Sequence, residues 1–162
     1  MPTGFVVEVI TDDMVGGVDL ERWSKLLEAV LLAEGAVAPV EVNLSFVDEA
    51  TIAELHLEHL QLEGPTDVLS FPLEDDPRAA IRGAAEGPPV LLGDAVVCVE
   101  VATRQASEHG VSLEDELALL VTHAGLHLLG YDHVVDTEAE AMEAREGELI
   151  RSLHDAAWER HR

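Results

Sequence analysis

The sequence is poor in cysteine, in aromatic residues and in long apolar runs, and each shortage excludes a class of protein. Cys98 is the only cysteine among 162 residues, so an intramolecular disulfide and a cysteine-based zinc site are excluded. Only 4% of the residues are aromatic, so leucine, valine and alanine must fill most of the core. No run reaches the roughly 18 apolar residues of a membrane helix, and no basic region precedes an N-terminal apolar stretch. We therefore expect a cytoplasmic protein that does not bind membranes.

Basic residues are also scarce. Nine lysines and arginines face 33 aspartates and glutamates, which gives a formal net charge of −24. Such a surface repels polyanions at long range and counts against tight, non-specific binding of nucleic acid. The acidity fits either a salt-rich cytoplasm or the compositional bias of a GC-rich genome. Any nucleic-acid site must therefore be local, built around a metal ion and a few arginines.

The hydrophobic patterns predict one α+β domain over residues 1–162, with a small mixed β-sheet and about five helices. Strands are predicted at 5–10, 40–47, 66–71 and 91–99. Helices are predicted from Asp19 to about Glu34, at 49–60, at 100–109, from the capping box Ser112–Asp115 onward, and from Thr137, with Glu140 as a second capping box, to about Trp158. Residues 73–89 hold three prolines and two glycines and predict a surface loop.

Residues 122–133, THAGLHLLGYDH, hold three histidines at a spacing that suits a metal ion. His123 and His127 are four positions apart in a helical segment, so they project from one face of the helix. Gly130 can adopt a positive φ, end the helix and turn the chain back, which would bring His133 to the same ion. Three imidazoles suit Zn²⁺ and leave a fourth position open, as in catalytic zinc sites. The pattern therefore predicts one zinc ion and a hydrolase.

The surroundings of the two helical histidines support metal binding. The run at 117–129 is apolar apart from Thr122 and the two histidines. Imidazoles without partners would be costly in a buried helix, and metal ligation with hydrogen bonds to the other ring nitrogens would satisfy them. One histidine in such a helix is usually an ordinary core residue, but three at this spacing favour a metal site. The other histidines are scattered and are interpreted as surface or local structural residues.

The same spacing occurs in the metzincin proteases, where the residue after the first histidine is the glutamate base. That position is Ala124 here, so peptide hydrolysis by that route is disfavoured. A zinc hydrolase that acts on peptides or amides remains an alternative.

Two segments resemble one family more closely. THAGLHLLGYDH resembles the H-G-x-L-H-L-x-G-Y-D-H signature of the YbeY-type endoribonucleases, the bacterial rRNA maturation factors. The block GPTDVLSFP at 64–72 resembles their P-T-D-V-L-S-F-P motif, and LGD at 92–94 also agrees. The resemblance implies a zinc-dependent, single-strand-specific endoribonuclease that acts on the 3′ end of 16S rRNA and in ribosome quality control. It also implies the ribosomal small subunit or its proteins as partners.

The resemblance assigns the metal-ligand positions to His123, His127 and His133. Residues Thr66, Asp67 and Ser70 match the second block and are expected near the metal. Asp132, beside the third ligand, is a candidate base or orienting group, and a role in the turn is equally consistent. Asp67 is a candidate to orient a ligand or to close a turn after Pro65. Tyr131 is a candidate to donate a hydrogen bond to a phosphate, or a packing residue. The nucleophile can be either water or the RNA 2′-hydroxyl.

The sequence departs from the family pattern at two positions. Many members carry an arginine upstream of the second block, and by spacing that position is Leu60. An arginine there would bind phosphate, so its loss leaves a second alternative, a non-catalytic ribosome-assembly factor with a structural metal. Arg104, or Arg78 and Arg82 in the predicted loop, are the candidate replacements. Ala124 in place of the usual glycine is the smaller departure and suits a helix.

Overall fold

A four-stranded mixed β-sheet organises the chain, in a computed structural model that describes residues 6–132 and 135–160. The strands are β1 (Val7–Asp13), β2 (Val40–Val47), β3 (Val68–Pro72) and β4 (Val90–Cys98). The helices are α1 (Leu20–Ala33), α2 (Glu49–Leu60), α3 (Pro77–Ile81), α4 (Val99–His109), α5 (Leu113–Leu128) and α6 (Asp136–Leu153). The predicted α+β class and small mixed sheet are confirmed, and the described ranges contain six helices instead of about five.

The sheet has the order β1-β2-β4-β3. Strands β1, β2 and β4 run parallel, and β3 pairs antiparallel with β4. Successive side chains of a strand point to opposite faces, and both faces are covered. Ala95 and Val97 of β4 join the larger core cluster with α1, α5 and α6, whereas Val96 and Cys98 join a smaller cluster with Ile52 of α2. The antiparallel pair of β3 and β4 therefore lies between two apolar layers. Strand β3 is an edge strand of the sheet and packs beside α5.

Helix α5 is the central helix of the larger layer. It packs against α1, α4, α6, β3 and β4. Its approach to α1 is close at Gly125, where an added Cβ would lie 2.9 Å from Cδ1 of Leu27. The predicted helix with its apolar run thus contacts three other helices and two strands.

Local sequence signals fix most of the helix starts. The side chains of Asp19, Asp48 and Ser112 each accept a hydrogen bond from a backbone N–H in the first turn of α1, α2 and α5, as predicted. The prediction for Thr137 is wrong: α6 begins at Asp136, and Val135 occupies the cap position without a side-chain bond. The helix also ends at Leu153, because the chain turns there and buries Trp158 at 5% exposure.

The predicted loop at 73–89 contains the extra helix, α3. Asp76 accepts a hydrogen bond from the backbone N–H of Ala79, and Pro77 occupies the first turn, where its missing N–H costs nothing. Ile81 is fully buried, and its carbonyl accepts hydrogen bonds from the backbone of Val37 and Ala38. The segment is therefore tied to the core and is a loop only on either side of α3. No helix in the described part of the chain is long and apolar enough to cross a membrane.

Gly93 lies at an irregularity of β4, where the pairing with β2 shifts register between Glu41 and Val42. Its φ is +142°, and an added Cβ would lie 2.3 Å from the carbonyl oxygen of Phe71. We expect Gly93→Ala to lower the free energy of unfolding by about 2–4 kcal/mol, because neither backbone can give way. Urea denaturation measures this loss.

Gly87→Ala is the matched control for Gly93→Ala. Gly87 also has a positive φ, +115°, but a Cβ there meets nothing within 4 Å. The control should therefore lose clearly less stability. Equal losses in the two variants would contradict the close contact with Phe71 as the cause.

Candidate functional site

The two helical histidines interrupt an otherwise buried stretch of α5. Every residue from Glu116 to Leu129 is buried except His123 and His127, which are partly exposed. Their ring centroids lie 4.9 Å apart, and the ring planes are inclined by 80°. The helical spacing thus places two imidazoles side by side at the only openings in this stretch of the helix, as the sequence predicts.

Glu146 of α6 holds the His123 ring. The Nδ1 atom of His123 is hydrogen-bonded to the Glu146 carboxylate, which fixes the orientation of the ring. Arg160 donates from Nη2 to the other carboxylate oxygen of Glu146 at 2.9 Å, and the Glu146 side chain is 1% exposed. A carboxylate behind a ligand histidine is the usual arrangement in zinc sites, so the donor set fits this metal.

The electrostatics of Glu146 follow from these contacts. Burial acts to raise the pKa of the Glu146 carboxyl, but the hydrogen bonds and charges of His123 and Arg160 outweigh it, so the pKa lies below its ordinary value of 4.5. The carboxylate is therefore ionised at neutral pH and acts as an acceptor toward both neighbours.

The second sequence block forms the wall opposite the histidines. A cavity of about 390 Å³ is lined by His123 and His127 of α5, by Leu60 of α2, and by Thr66, Asp67 and Ser70 at the start of β3. The Ser70 hydroxyl donates to the carbonyl of Ala124 at 3.4 Å, which ties β3 to α5 between the two histidines. The structure thus brings five of the predicted site residues into one cavity.

A second cavity of about 250 Å³ lies on the α6 side of His123. It shares Asp67, Val68 and His123 with the first cavity, and Glu146 and Arg160 line its far wall. With the Gln105 amide oriented to face them, its nitrogen donates to Asp67 at 3.1 Å and to Glu116 at 3.0 Å. The carboxylate of Asp67 is therefore held in place where the two cavities meet.

The turn after α5 has the conformation that the glycine predicts. Gly130 has a φ of +96°, and its N–H donates to the carbonyl of His127 at 3.0 Å, while Tyr131 donates to Leu126 at 3.1 Å. These two bonds are those of a Schellman motif. His133 lies outside the described residues, and no group of three metal-ligating side chains occurs among the residues that are described. The three-histidine set therefore stays a prediction.

Asp132 and Tyr131 line a different cavity. This third cavity, of about 460 Å³, is bordered by α3, by the turn after α5 and by α6. The ring of Tyr131 lies under the guanidinium of Arg78, at 4.7 Å from the centroid, and burial followed by the charge of Glu34 raises the pKa of its phenol. Asp132 is thus not among the residues that line the cavity of the two histidines, and the ring of Tyr131 packs against Arg78.

The three arginines proposed to replace the family arginine are engaged elsewhere. Arg104 forms an ion pair with Glu49. Arg78 forms an ion pair with Glu34 at 2.7 Å, and Arg82 donates to the Glu34 backbone carbonyl. Leu60 lines the histidine cavity and is 49% exposed. That wall of the cavity is therefore apolar where an arginine would make it cationic.

Sequence reasoning missed Glu146 and Arg160. A signal for Glu146 is present: Met142, Glu146, Leu149 and Ile150 share the buried face of α6, so a glutamate stands in an apolar helical stripe and requires a buried partner. Arg160 carries no such signal, because its contact with Glu146 depends on the turn that follows α6.

Comparison with known proteins places this geometry in a family. The family model described as endoribonuclease YbeY matches residues 11–154. A protein of Corynebacterium glutamicum named endoribonuclease YbeY is 42% identical over 92% of this chain and 76% of its own length. One of Moorella thermoacetica with the same name is 43% identical over 88% of this chain and 91% of its own length. A Thermotoga maritima protein solved in solution matches 96% of this chain and 99% of its own, with 26% identity and a TM-score of 0.56.

Replacing Glu146 by glutamine tests the carboxylate behind His123. We expect Glu146→Gln to lower the free energy of unfolding by about 1–3 kcal/mol at pH 7, because Arg160 and His123 lose a buried charged acceptor. The folded pKa of Glu146 lies below its unfolded value, so its stabilisation is complete above pH 4.5 and is lost as the pH falls through the folded pKa. The difference between wild type and variant should therefore shrink below about pH 4, in urea titrations at a series of pH values.

Glu143→Gln is the control for Glu146→Gln, since Glu143 lies on the same helix but is exposed. Its stability should match the wild type within about 0.5 kcal/mol. A Glu146 variant as stable as this control would show that the contact between His123 and Glu146 does not contribute to folding.

Proposed function

The chain belongs to the endoribonuclease YbeY family, and we propose that it is a zinc-dependent endoribonuclease that cleaves single-stranded RNA. Its proposed substrate is the 3′ end of 16S rRNA, and it acts in the cytoplasm with the ribosomal small subunit, in rRNA maturation and ribosome quality control. The observation that carries the proposal is the shared cavity: the histidine pair of one family motif faces the Thr66–Ser70 segment of the other.

The proposed metal ligands are His123, His127 and His133. The hydrogen bond between His123 and Glu146 supports this assignment, because a carboxylate behind a metal-binding histidine fixes the orientation of its ring. A bound zinc ion supplies Lewis acidity toward a phosphate oxygen and lowers the pKa of water. Gly130 supports the third ligand by ending α5 at a positive φ, which reverses the chain before residue 133.

Asp67 is a better candidate than Asp132 for proton transfer. Asp67 lines the cavities on both sides of His123, so its carboxylate lies within the proposed substrate site. Asp132 borders the cavity that also contains Asp76 and Arg78. A general base must lie within hydrogen-bonding reach of the proton that it takes, and this condition favours Asp67.

A non-catalytic ribosome-assembly factor with a structural metal is the competing interpretation, and it predicts no RNA products. The open cavity beside the histidines argues against it, because a structural zinc site is closed on all sides by protein ligands. The cavity volume of about 390 Å³ is enough for a nucleotide-sized group.

We expect His127→Ala to lose both bound zinc and cleavage of single-stranded RNA, because it removes one of three ligands. Metal content is measured by mass spectrometry and cleavage by gel analysis of a labelled oligonucleotide. His109→Ala is the control, since His109 closes α4 and lines a cavity without His123 or His127. Equal cleavage by wild type and His127→Ala would contradict the catalytic proposal. A wild-type protein that binds zinc but cleaves no RNA would favour the assembly factor.

We also expect RNA binding to depend only weakly on salt. The protein carries a charge of −24, and Arg78, Arg104, Arg145 and Arg160 are paired with glutamates, so few cations are available for phosphates. With two phosphate contacts, affinity for a single strand falls by less than about tenfold between 50 and 200 mM salt, against about 300-fold for a protein with six contacts. Fluorescence anisotropy with a non-cleavable RNA analogue measures the slope, and a steep fall would contradict a local site.

A further inference from the structure

Glu116 is a buried carboxylate on the same helix as the two site histidines. It is 4% exposed and belongs to the first turn of α5. His123 follows it after about two helical turns and His127 after about three, so the three side chains lie along one face of the helix. A buried carboxylate needs hydrogen-bond donors, and α4 supplies one.

The side-chain amide of Gln105 in α4 is that donor. It lies between two carboxylates, those of Glu116 and Asp67. An amide oxygen cannot donate a hydrogen bond, so the group presents its nitrogen to them, and the two hydrogens of that nitrogen suit two acceptors. In this orientation Nε2 lies 3.0 Å from Oε2 of Glu116 and 3.1 Å from Oδ2 of Asp67. One neutral amide therefore joins a buried residue of α5 to a residue of the site cavities.

The backbone of Asp67 is fixed independently of Gln105. Its carbonyl accepts a hydrogen bond from the N–H of Cys98 at 2.9 Å. Its Oδ1 atom accepts from the hydroxyl of Thr66 at 3.4 Å, a long contact that restrains the carboxylate only weakly. The bond from Gln105 to Oδ2 is the shorter of the two, so it restrains the rotation of the carboxylate more strongly.

Gln105 acts on the cavities from behind. Asp67 lines both the cavity of the two histidines and the cavity on the α6 side of His123, whereas Gln105 is not among the described residues that line either one. A carboxylate offers about four positions for hydrogen bonds. The bonds from Thr66 and Gln105 therefore leave positions for a proton donor that enters the cavities, and Gln105 can influence such a group only through Asp67.

We propose that Gln105 is a positioning residue for the reaction: anchored by Glu116, it holds the Asp67 carboxylate in the orientation that proton transfer needs. The inference rests on the proposed RNA cleavage with Asp67 as its base, and it adds two residues that neither sequence block contains. In that step the oxygen of the nucleophile, water or the RNA 2′-hydroxyl, bonds to phosphorus while Asp67 takes its proton. The leaving oxygen keeps the electron pair of the broken P–O bond and takes a proton from solvent.

Loss of the amide slows the chemical step and leaves RNA binding intact. Gln105→Met keeps the length of the side chain but removes its donors. We expect it to lower the single-turnover rate of cleavage by about 10- to 100-fold, because the carboxylate can then rotate and a misplacement of about 1 Å can cost about 100-fold. The dissociation constant of a non-cleavable RNA should stay within about twofold, since Gln105 lines neither cavity.

The experiment compares Gln105→Met, Asp67→Ala and the double variant, with Glu108→Met as the matched control. Glu108 is an exposed residue of the same helix, so the control should keep the wild-type rate and affinity. If Gln105 acts through Asp67, its substitution lowers the rate in the wild-type background and has no further effect in the Asp67→Ala background. Urea denaturation establishes that each variant is folded.

A second measurement does not depend on cleavage. The side-chain amide of Gln105 gives NMR signals in the ¹⁵N-labelled protein, and the spectrum of Gln105→Met identifies them by their loss. We expect Asp67→Ala to shift these signals, because one of the two amide hydrogens loses a charged acceptor. Glu108→Met should leave them in place.

Several results would overturn the inference. A wild-type rate in Gln105→Met or in Asp67→Ala would do so, as would equal losses in both backgrounds, which indicate general destabilisation, or amide signals that Asp67→Ala does not move. If Gln105→Met does not fold, Gln105→Asn tests the same link with an amide too short to reach both carboxylates, and a wild-type rate there contradicts it. A wild-type protein that cleaves no RNA would remove the proposed activity and this role together. Normal cleavage that Gln105→Met leaves unchanged would refute the positioning role alone.

Discussion

The structure depends on one constraint: α5 is enclosed from Glu116 to Leu129 and must still present two imidazoles to a cavity. Enclosure needs apolar neighbours on every side, and α1, α4, α6 and two strands supply them. The imidazoles need polar partners within that apolar setting, because an unpaired buried polar group costs several kcal/mol. Glu146 meets this need for His123 without opening the core, since its own charge is balanced by Arg160. Glu146 thus links α6 to His123, and Arg160 links the chain beyond α6 to Glu146.

Several of the few arginines form ion pairs with buried glutamates, so they are not available to bind a ligand. Arg78 and Arg145 balance Glu34, and Arg160 balances Glu146. Both glutamates are almost fully buried, and the two pairs of Glu34 join α1 to α3 and to α6. Removal of one partner would leave a buried, unpaired charge. Binding of these arginines to phosphate would therefore lower the stability of the fold. A net charge of −24 and two buried glutamates are therefore compatible, since these cations lie where the buried carboxylates require them.

Local patterns in the sequence predicted the elements well and the contacts between them poorly. The four strands, the start of α5 at Ser112 and the positive φ of Gly130 follow from alternation, capping and glycine chemistry, all within a few residues. The missed features depend on tertiary packing: Glu146 reaches His123 across 23 residues, and α6 starts one residue before Thr137 without a side-chain cap. Glu34 and Glu146 did leave a readable signal, a carboxylate within an apolar helical stripe, which requires a cation that one sequence cannot identify.

The same charge distribution supports single strands over duplexes as the proposed substrate. A duplex presents a dense row of phosphates and keeps its base faces stacked, so an acidic protein with few free cations repels it and gains no base contacts. A single strand can turn its bases outward, and the cavity beside the histidines offers Leu60, Val68 and Leu69 as apolar walls with the hydroxyls of Thr66 and Ser70. Stacking and apolar contact do not depend on the sign of the protein's charge. Leu60 thus makes the wall of this cavity apolar at the position where the family resemblance places an arginine.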